Sequence, residues 1–180
     1  MRVVAALLLV LVFAVPALAD EPEPFRRTCS SSQYGDLGRG WKEHAVVAGS
    51  LALVGMGVAD GRAAIVPSPQ GMGRPYKVLV VVDPNAVATL TVAPRSRSYA
   101  ALGYNEIRYR GGESVPLVDG AQSVRFEACR AVPTRASWNR GTQFGGTFIV
   151  NGRRCVHVEV RARGRLLRRT PRFGVARCAS

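Results

Sequence analysis

The sequence has few of the residues on which enzyme active sites are usually built. Only two of its 180 residues are histidines, and His157 is expected to lie at the surface, paired with the carboxylate of Glu159. There is no G-x-S-x-G nucleophile motif and no cysteine pair with C-x-x-C spacing. The acidic residues are scattered, and none lies in an aromatic-rich stretch that would raise a carboxyl pKa. These absences favour a non-catalytic protein with no catalytic residues, no cofactor and no metal site, and they leave a small envelope-directed hydrolase as the alternative.

Helical periodicity is also absent, since no stretch of ten or more residues after residue 19 shows it. Period-two alternation takes its place and is clearest at residues 156–162, where Val156, Val158 and Val160 share one face. Turn signals made of Gly, Pro and Asp separate such stretches at intervals of roughly ten residues. The sequence therefore predicts an all-β chain that forms a single antiparallel β-sandwich, either jelly-roll or immunoglobulin-like.

Two apolar runs give the strongest strand predictions. Residues 77–82 (KVLVVV) are apolar almost without interruption, which is typical of a strand buried on both faces. We expect them to pair with residues 88–93 as a hairpin, because an Asp-Pro-Asn turn signal lies between the two. Residues 45–59 are expected to form one or two buried strands, since this run is too short and too rich in glycine for a membrane helix.

Residues 1–19 (MRVVAALLLVLVFAVPALA) have the composition of a secretory signal peptide, with a basic start, an apolar segment and an Ala-Leu-Ala cleavage site. Cleavage after Ala19 leaves a secreted or cell-surface chain without a transmembrane segment, and we expect it to be a monomer. Residues 20–42 are poor in large apolar side chains and are predicted to form a flexible N-terminal arm. Residues 43–180 are then the β-sandwich domain.

Four cysteines in an exported chain of this size predict two disulfides, for which three connectivities exist. Cys129 and Cys155 lie at strand boundaries in the same solvent-facing phase, so we expect them to be joined. Cys29 is then expected to pair with Cys178, which ties the arm to the end of the chain.

Arginine supplies nearly all of the positive charge, because Lys42 and Lys77 are the only lysines in a chain with a formal net charge of +13. Guanidinium groups suit phosphate and carboxylate, so the expected partners are anionic polymers or lipids of the cell envelope. Specific binding of nucleic acid is not expected, because the chain is exported. The alternative is that the arginines reflect GC-rich coding and that the protein is a purely structural exported domain.

The arginines are densest between residues 153 and 177, where nine of them occur with one acidic residue. Some point outward from the strand at residues 156–162, and others follow the predicted turn at Gly164. The candidate anion-binding residues are Arg161, Arg163, Arg165 and Arg168.

A second candidate site is the loop at residues 133–146 (PTRASWNRGTQFGG), where an aromatic side chain stands beside amides. Such a combination often furnishes a carbohydrate site, and its candidate residues here are Trp138, Asn139 and Gln143. The alternative is structural, with Trp138 covering the edge of the core.

Several segments between residues 45 and 178 resemble a set of small exported proteins of actinobacteria. They include KVLVVVDPNAVATLTV, TQFGGTFIVNGRRCVHVEV and the closing FGVARC. The most specific parts are T-Q-F-x-G-x-F and R-C-V-x-x-E-V. The resemblance implies an exported, disulfide-bearing β domain and indicates no substrate.

Overall fold

The computed structural model describes residues 22–33, 35–56, 68–105, 113–130 and 141–178, and within these ranges the chain is built of β-strands joined by turns and short 3-10 helices. The predicted all-β class is confirmed. The strands are β1 (Phe25–Arg27), β2 (Ala45–Ala48), β3 (Leu51–Val54), β4 (Met72–Lys77), β5 (Leu79–Val82), β6 (Val87–Val92), β7 (Ala100–Gly103), β8 (Val115–Pro116), β9 (Ser123–Glu127), β10 (Thr142–Phe144), β11 (Thr147–Val150), β12 (Arg154–Cys155), β13 (Val158–Ala162), β14 (Arg165–Arg169) and β15 (Arg172–Phe173).

The first sheet has five strands in the order β1-β9-β6-β13-β14. Its pairings are antiparallel except for β1, which lies parallel to β9 at one edge. The alternation predicted for residues 156–162 is confirmed, because Val158, Val160 and Ala162 are buried while Arg161 is exposed. Strands β13 and β14 form a hairpin around Gly164, as the turn signal indicated.

The second layer combines two four-stranded sheets, β10-β5-β3-β2 and β7-β11-β4-β8. The pairing of β5 with β10 and that of β4 with β11 follow one unbroken register, since Val80 lies opposite Phe144 and Lys77 opposite Thr147. The Val78 amide donates to the Gly146 carbonyl at 3.0 Å where the strands bend. The two sheets therefore act as one bent layer that faces the first sheet.

The core lies between the two layers and is centred on aromatic side chains. Phe126 of β9 packs edge-on against Tyr104, with ring centroids 5.2 Å apart, and against Phe144 of β10 at the same distance. Phe173 of β15 joins this core through Phe148, at 5.4 Å. Because these rings come from both layers, they fix the distance and angle at which the sheets pack.

The predicted hairpin of residues 77–82 with residues 88–93 is wrong. Strand β5 lies between β3 and β10 in the second layer, whereas β6 lies between β9 and β13 in the first sheet. The turn between them carries the chain across the sandwich, and the Asp83 amide donates to the Ser50 carbonyl at 2.9 Å. The reason is burial. The uninterrupted apolar strand β5 is stable where both of its faces are covered, whereas the alternating strand β6 needs one face exposed to solvent.

All four cysteines form disulfides, but the predicted connectivity is wrong. Cys29 is bonded to Cys129, and Cys155 to Cys178. The parallel pairing of β1 with β9 brings Cys29 beside Cys129, so that their Cα atoms are 4.8 Å apart. The pairing of β12 with β15 brings the end of the chain back to Cys155. Each disulfide therefore continues a strand pairing.

Some of the sequence predictions fall outside the described residues, namely the signal peptide at residues 1–19 and the loop residues Trp138 and Asn139. The segment predicted as an arm contributes β1, and its disulfide holds it to the first sheet. Among the described residues, no helix is long and apolar enough to span a membrane.

Candidate anion-binding face

The outer face of the first sheet carries most of the polar side chains that the strand alternation turns away from the core. On the same strands, every second residue, such as Leu90 of β6 and Val160 of β13, is buried in the core, so the residues that alternate with these point to solvent. We define the outer face by these residues: Arg26, Val87, Thr89, Thr91, Ser123, Arg125, Glu127, Glu159, Arg161, Leu166 and Arg168.

One row of the outer face crosses the strands in register. Arg26 lies opposite Arg125, Arg125 opposite Thr89, Thr89 opposite Arg161, and Arg161 opposite Leu166. Neighbouring strands are about 4.8 Å apart, so the backbones that carry Arg125 and Arg161 are about 10 Å apart with Thr89 between them. The pleat therefore places one arginine residue on each side of Thr89 on the outer face.

A depression of about 600 Å³ lies beside this row. Its walls carry the three arginines Arg125, Arg161 and Arg163, and Val87 and Thr89 of β6 contribute to its lining. The remaining lining residues are Pro84, Asn85, Ala86, Ala162 and Gly164. We call this feature the corner depression, because it lies where two turns meet the outer face.

The β13–β14 turn places Arg163 at the corner depression. Arg163 and Gly164 both have positive φ angles, of 50° and 72°. Two consecutive residues with positive φ in a two-residue hairpin loop form a type I′ turn, whose twist matches that of the two flanking strands. The Arg163 side chain lies 3.5 Å from the Asp83 carboxylate, and because both side chains are more than half exposed, this ion pair is weak.

Acidic side chains neutralise part of the charge of the outer face, including that of Arg125 at the corner depression. Glu127 accepts hydrogen bonds from Arg26 at 2.8 Å and from Arg125 at 3.1 Å. These two hydrogen bonds, the one from Arg26 first, lower the pKa of the Glu127 carboxyl. Glu159 accepts from Arg168 at 3.1 Å. In the described part of the chain, Arg161 has no carboxylate within ion-pair distance, whereas Arg125 and Arg163, which also line the corner depression, each have an acidic partner. The uncompensated charge of the depression is therefore that of Arg161.

The four candidate arginines are not all brought together. Arg161 and Arg163 line the corner depression, and Arg168 lies on the outer face but is paired with Glu159. Arg165 is opposite Ala162, and this phase of the sheet points away from the outer face. The structure adds Arg125, whose outward phase on β9 could be read from the alternation of residues 124–127.

Gln143, the described member of the predicted loop site, is a buried residue of β10. Its side-chain amide donates to the Gly35 carbonyl at 2.7 Å, and its backbone carbonyl accepts from the Gln33 backbone N–H at 2.9 Å. These contacts hold the segment after Cys29 against the second layer.

His157 does not pair with Glu159, which corrects the expectation drawn from their shared phase. Its Nδ1 atom accepts a hydrogen bond from Arg95 at 2.8 Å and lies 3.1 Å from the Thr170 hydroxyl. Because arginine can only donate, the ring proton is on Nε2. Burial, and to a lesser extent the charge of Arg95, lower the pKa of His157.

The lowered pKa of His157 predicts a pH dependence of stability. The unfolded chain takes up a proton at about pH 6.5, whereas the folded chain does so only at lower pH, so stability is full above that value and falls below it. We expect the Tm of the wild type to fall more between pH 7.5 and pH 5.5 than that of His157→Asn, whose amide oxygen still accepts from Arg95. His44→Asn is the matched control and should keep the wild-type slope. Equal slopes for the wild type and His157→Asn would contradict the assignment.

Comparison with known proteins gives no further constraint, since no family model, curated protein or solved structure matches the chain. In the part of the chain that the structure describes, no group of three His, Cys, Asp or Glu side chains is placed to hold a metal ion. The functional interpretation therefore depends on the charge and geometry of the outer face.

Proposed function

We propose that this protein is an exported, non-catalytic binding module that attaches to anionic polymers outside the cell. The observation that carries the proposal is the corner depression, where Arg125, Arg161 and Arg163 meet and where Arg161 lacks an acidic partner in the described residues. Guanidinium groups present several donors to the oxygens of anionic groups and remain charged at any physiological pH.

Two observations support a location outside the cytoplasm. Disulfides persist in oxidising compartments, and the chain has two. Residues 1–19 also have the composition of a signal peptide. The resemblance of residues 45–178 to small exported actinobacterial proteins fits the same location, and membership of that group is part of the proposal.

Much of the remaining positive charge has a structural use. Several arginines donate to backbone carbonyls and so complete turns and strand ends, where a ligand would have to compete with the fold. These are Arg27 with Tyr104, Arg153 with Gly174, Arg169 with Val47, and Arg172 with Ala176. The net charge therefore overstates what is available for binding, and the corner depression is favoured over bulk attraction.

The double variant Arg125→Gln/Arg161→Gln tests the proposal. We expect it to bind an immobilised anionic polymer about tenfold more weakly than the wild type, because each lost charge contact contributes up to about 1 kcal/mol. The matched control, Arg39→Gln/Arg177→Gln, removes the same charge from exposed positions outside the depression. Affinity is measured by biolayer interferometry at two salt concentrations, and the Tm of both variants should stay near that of the wild type.

The reciprocal change in the same assay is Glu127→Gln, which frees Arg26 and Arg125 from their shared carboxylate. It should strengthen binding, whereas Glu23→Gln on the N-terminal segment should change it little. If both double variants lost affinity equally, bulk charge alone would explain the binding. The protein would then be better described as a structural exported domain whose arginines reflect coding bias.

A further inference from the structure

The donors around the corner depression come from four separate elements. Arg125 lies on β9, Thr89 on β6, Arg161 on β13, and Arg163 on the turn that follows β13. The strand register places the first three side by side across the sheet, and the turn adds the fourth from one end. A ligand in this depression would therefore meet hydrogen-bond donors from more than one direction.

Arg125 and Thr89 also keep donor groups that no described residue uses. Arg125 uses its Nε atom for Glu127, which leaves its two Nη nitrogens. The Thr89 hydroxyl makes no hydrogen bond within the described residues, whereas Thr91, two positions along the same face, is bonded to Ser123 at 2.8 Å. The Thr91 hydroxyl is therefore already used within the protein, whereas the Thr89 hydroxyl can still bond to a ligand.

The geometry of the oxygens in an anion decides how many of these donors it can bond at once. A carboxylate has two oxygens in one plane, and a single guanidinium fork satisfies both. A phosphodiester has two non-bridging oxygens and a sulfate monoester three, and these project from a tetrahedral centre, so that they accept from several directions. Donors from two arginines on different strands, a hydroxyl between them and a third arginine at the end fit the tetrahedral group.

We infer that the corner depression selects a tetrahedral oxyanion ester, phosphate or sulfate, carried on a larger repeating unit; this inference rests on the proposed function and specifies its ligand. The volume of about 600 Å³ suits a ligand larger than an isolated oxyanion. Val87, which is 40% exposed, and Pro84 offer apolar surface to the carbon skeleton beside the charged group.

The test compares three polymers of matched length and charge density at physiological salt: poly(glycerol phosphate), dextran sulfate and polygalacturonate. The wild type should bind the phosphate or the sulfate polymer at least about tenfold more tightly than the carboxylate polymer, which corresponds to one additional charge-assisted hydrogen bond. The difference between the first two polymers identifies which ester is preferred. Affinities are measured by isothermal titration calorimetry.

Thr89→Val is the informative variant, because it removes only the hydroxyl at the centre of the row. It should weaken binding of the tetrahedral ester clearly more than binding of polygalacturonate, so that most of the preference is lost. Thr91→Val is the matched control, with the same substitution on the same face of the same strand, and it should keep the preference.

The outcomes separate this inference from the proposed function. If all three polymers bind equally and Arg125→Gln/Arg161→Gln weakens all of them, the proposed function stands and the selectivity is overturned. Equal weakening of all three polymers by Thr89→Val, or no effect on any, also overturns it. If none of the three polymers binds, the proposed function itself is overturned.

Discussion

Replacing Cys29 and Cys129 with serine is expected to lower the free energy of unfolding by about 4.7 kcal/mol, the largest loss we expect from the removal of one covalent bond. The disulfide closes a loop with a sequence separation of 100, and the entropy that it removes from the unfolded chain grows with the logarithm of that length. It also anchors β1, a three-residue strand that pairs with β9 alone among the described strands. Urea unfolding under non-reducing conditions measures the change.

The matched control is the double serine variant of Cys155 and Cys178. Its loop has a separation of 23, so the same model gives about 3.4 kcal/mol. The expected order of stability is wild type, then the variant without Cys155–Cys178, then the variant without Cys29–Cys129. The reverse order of the two variants would contradict the loop-entropy argument. Peptide mapping that found Cys29 joined to Cys178 would contradict the connectivity.

Phe126→Ala is expected to cost about 3–5 kcal/mol, because it leaves a cavity at the centre of the core. Phe126 is fully buried and contacts Tyr104 and Phe144, each with a ring centroid distance of 5.2 Å. Neither ring can close the gap freely: the Tyr104 hydroxyl donates to the Val78 carbonyl at 2.8 Å, and Phe144 is held in β10. The cavity therefore stays open, and both the transfer free energy and the packing contacts are lost.

Phe25→Ala is the control for this variant. Phe25 is on the same sheet, but its side chain is 38% exposed at the edge strand, so its loss should be well under half of that for Phe126. Both values come from chemical denaturation with unchanged m-values. Similar losses for the two variants would show that the aromatic cluster is not the centre of the core.

The sequence predicts those parts of the fold that are determined by residues close together in the chain. Alternation at residues 156–162 identifies a half-buried strand, because the side-chain period of a strand is two. Strand order has no such local signal. The hairpin prediction failed at Asp83 because a turn signal says that the chain reverses and does not say which sheet it enters. Cys29 follows a strand of three residues, whose position depends on contacts 100 residues away.

The candidate site was predictable to the same extent. Arg161 follows from strand phase alone, and Arg163 from the turn beside it. Arg165 was misplaced because a two-residue type I′ loop makes it the partner of Ala162, which puts it in the inward phase. Arg125 has a readable phase, but its position two strands from Arg161 depends on the sheet order. A site assembled across strands therefore needs the pairing as well as the pattern.

The parallel pairing of β1 with β9 also constrains the order in which the chain acquires its structure. Phe25 lies opposite Val124, so the first strand in the described part of the chain has its partner about a hundred residues later. Contacts of such high sequence separation form slowly, since the loop must be closed before any pairing stabilises it. During synthesis, β1 is made about a hundred residues before β9 and has no partner until β9 follows. The edge of the first sheet is therefore completed late, and the bond between Cys29 and Cys129 is a natural marker of nearly finished folding.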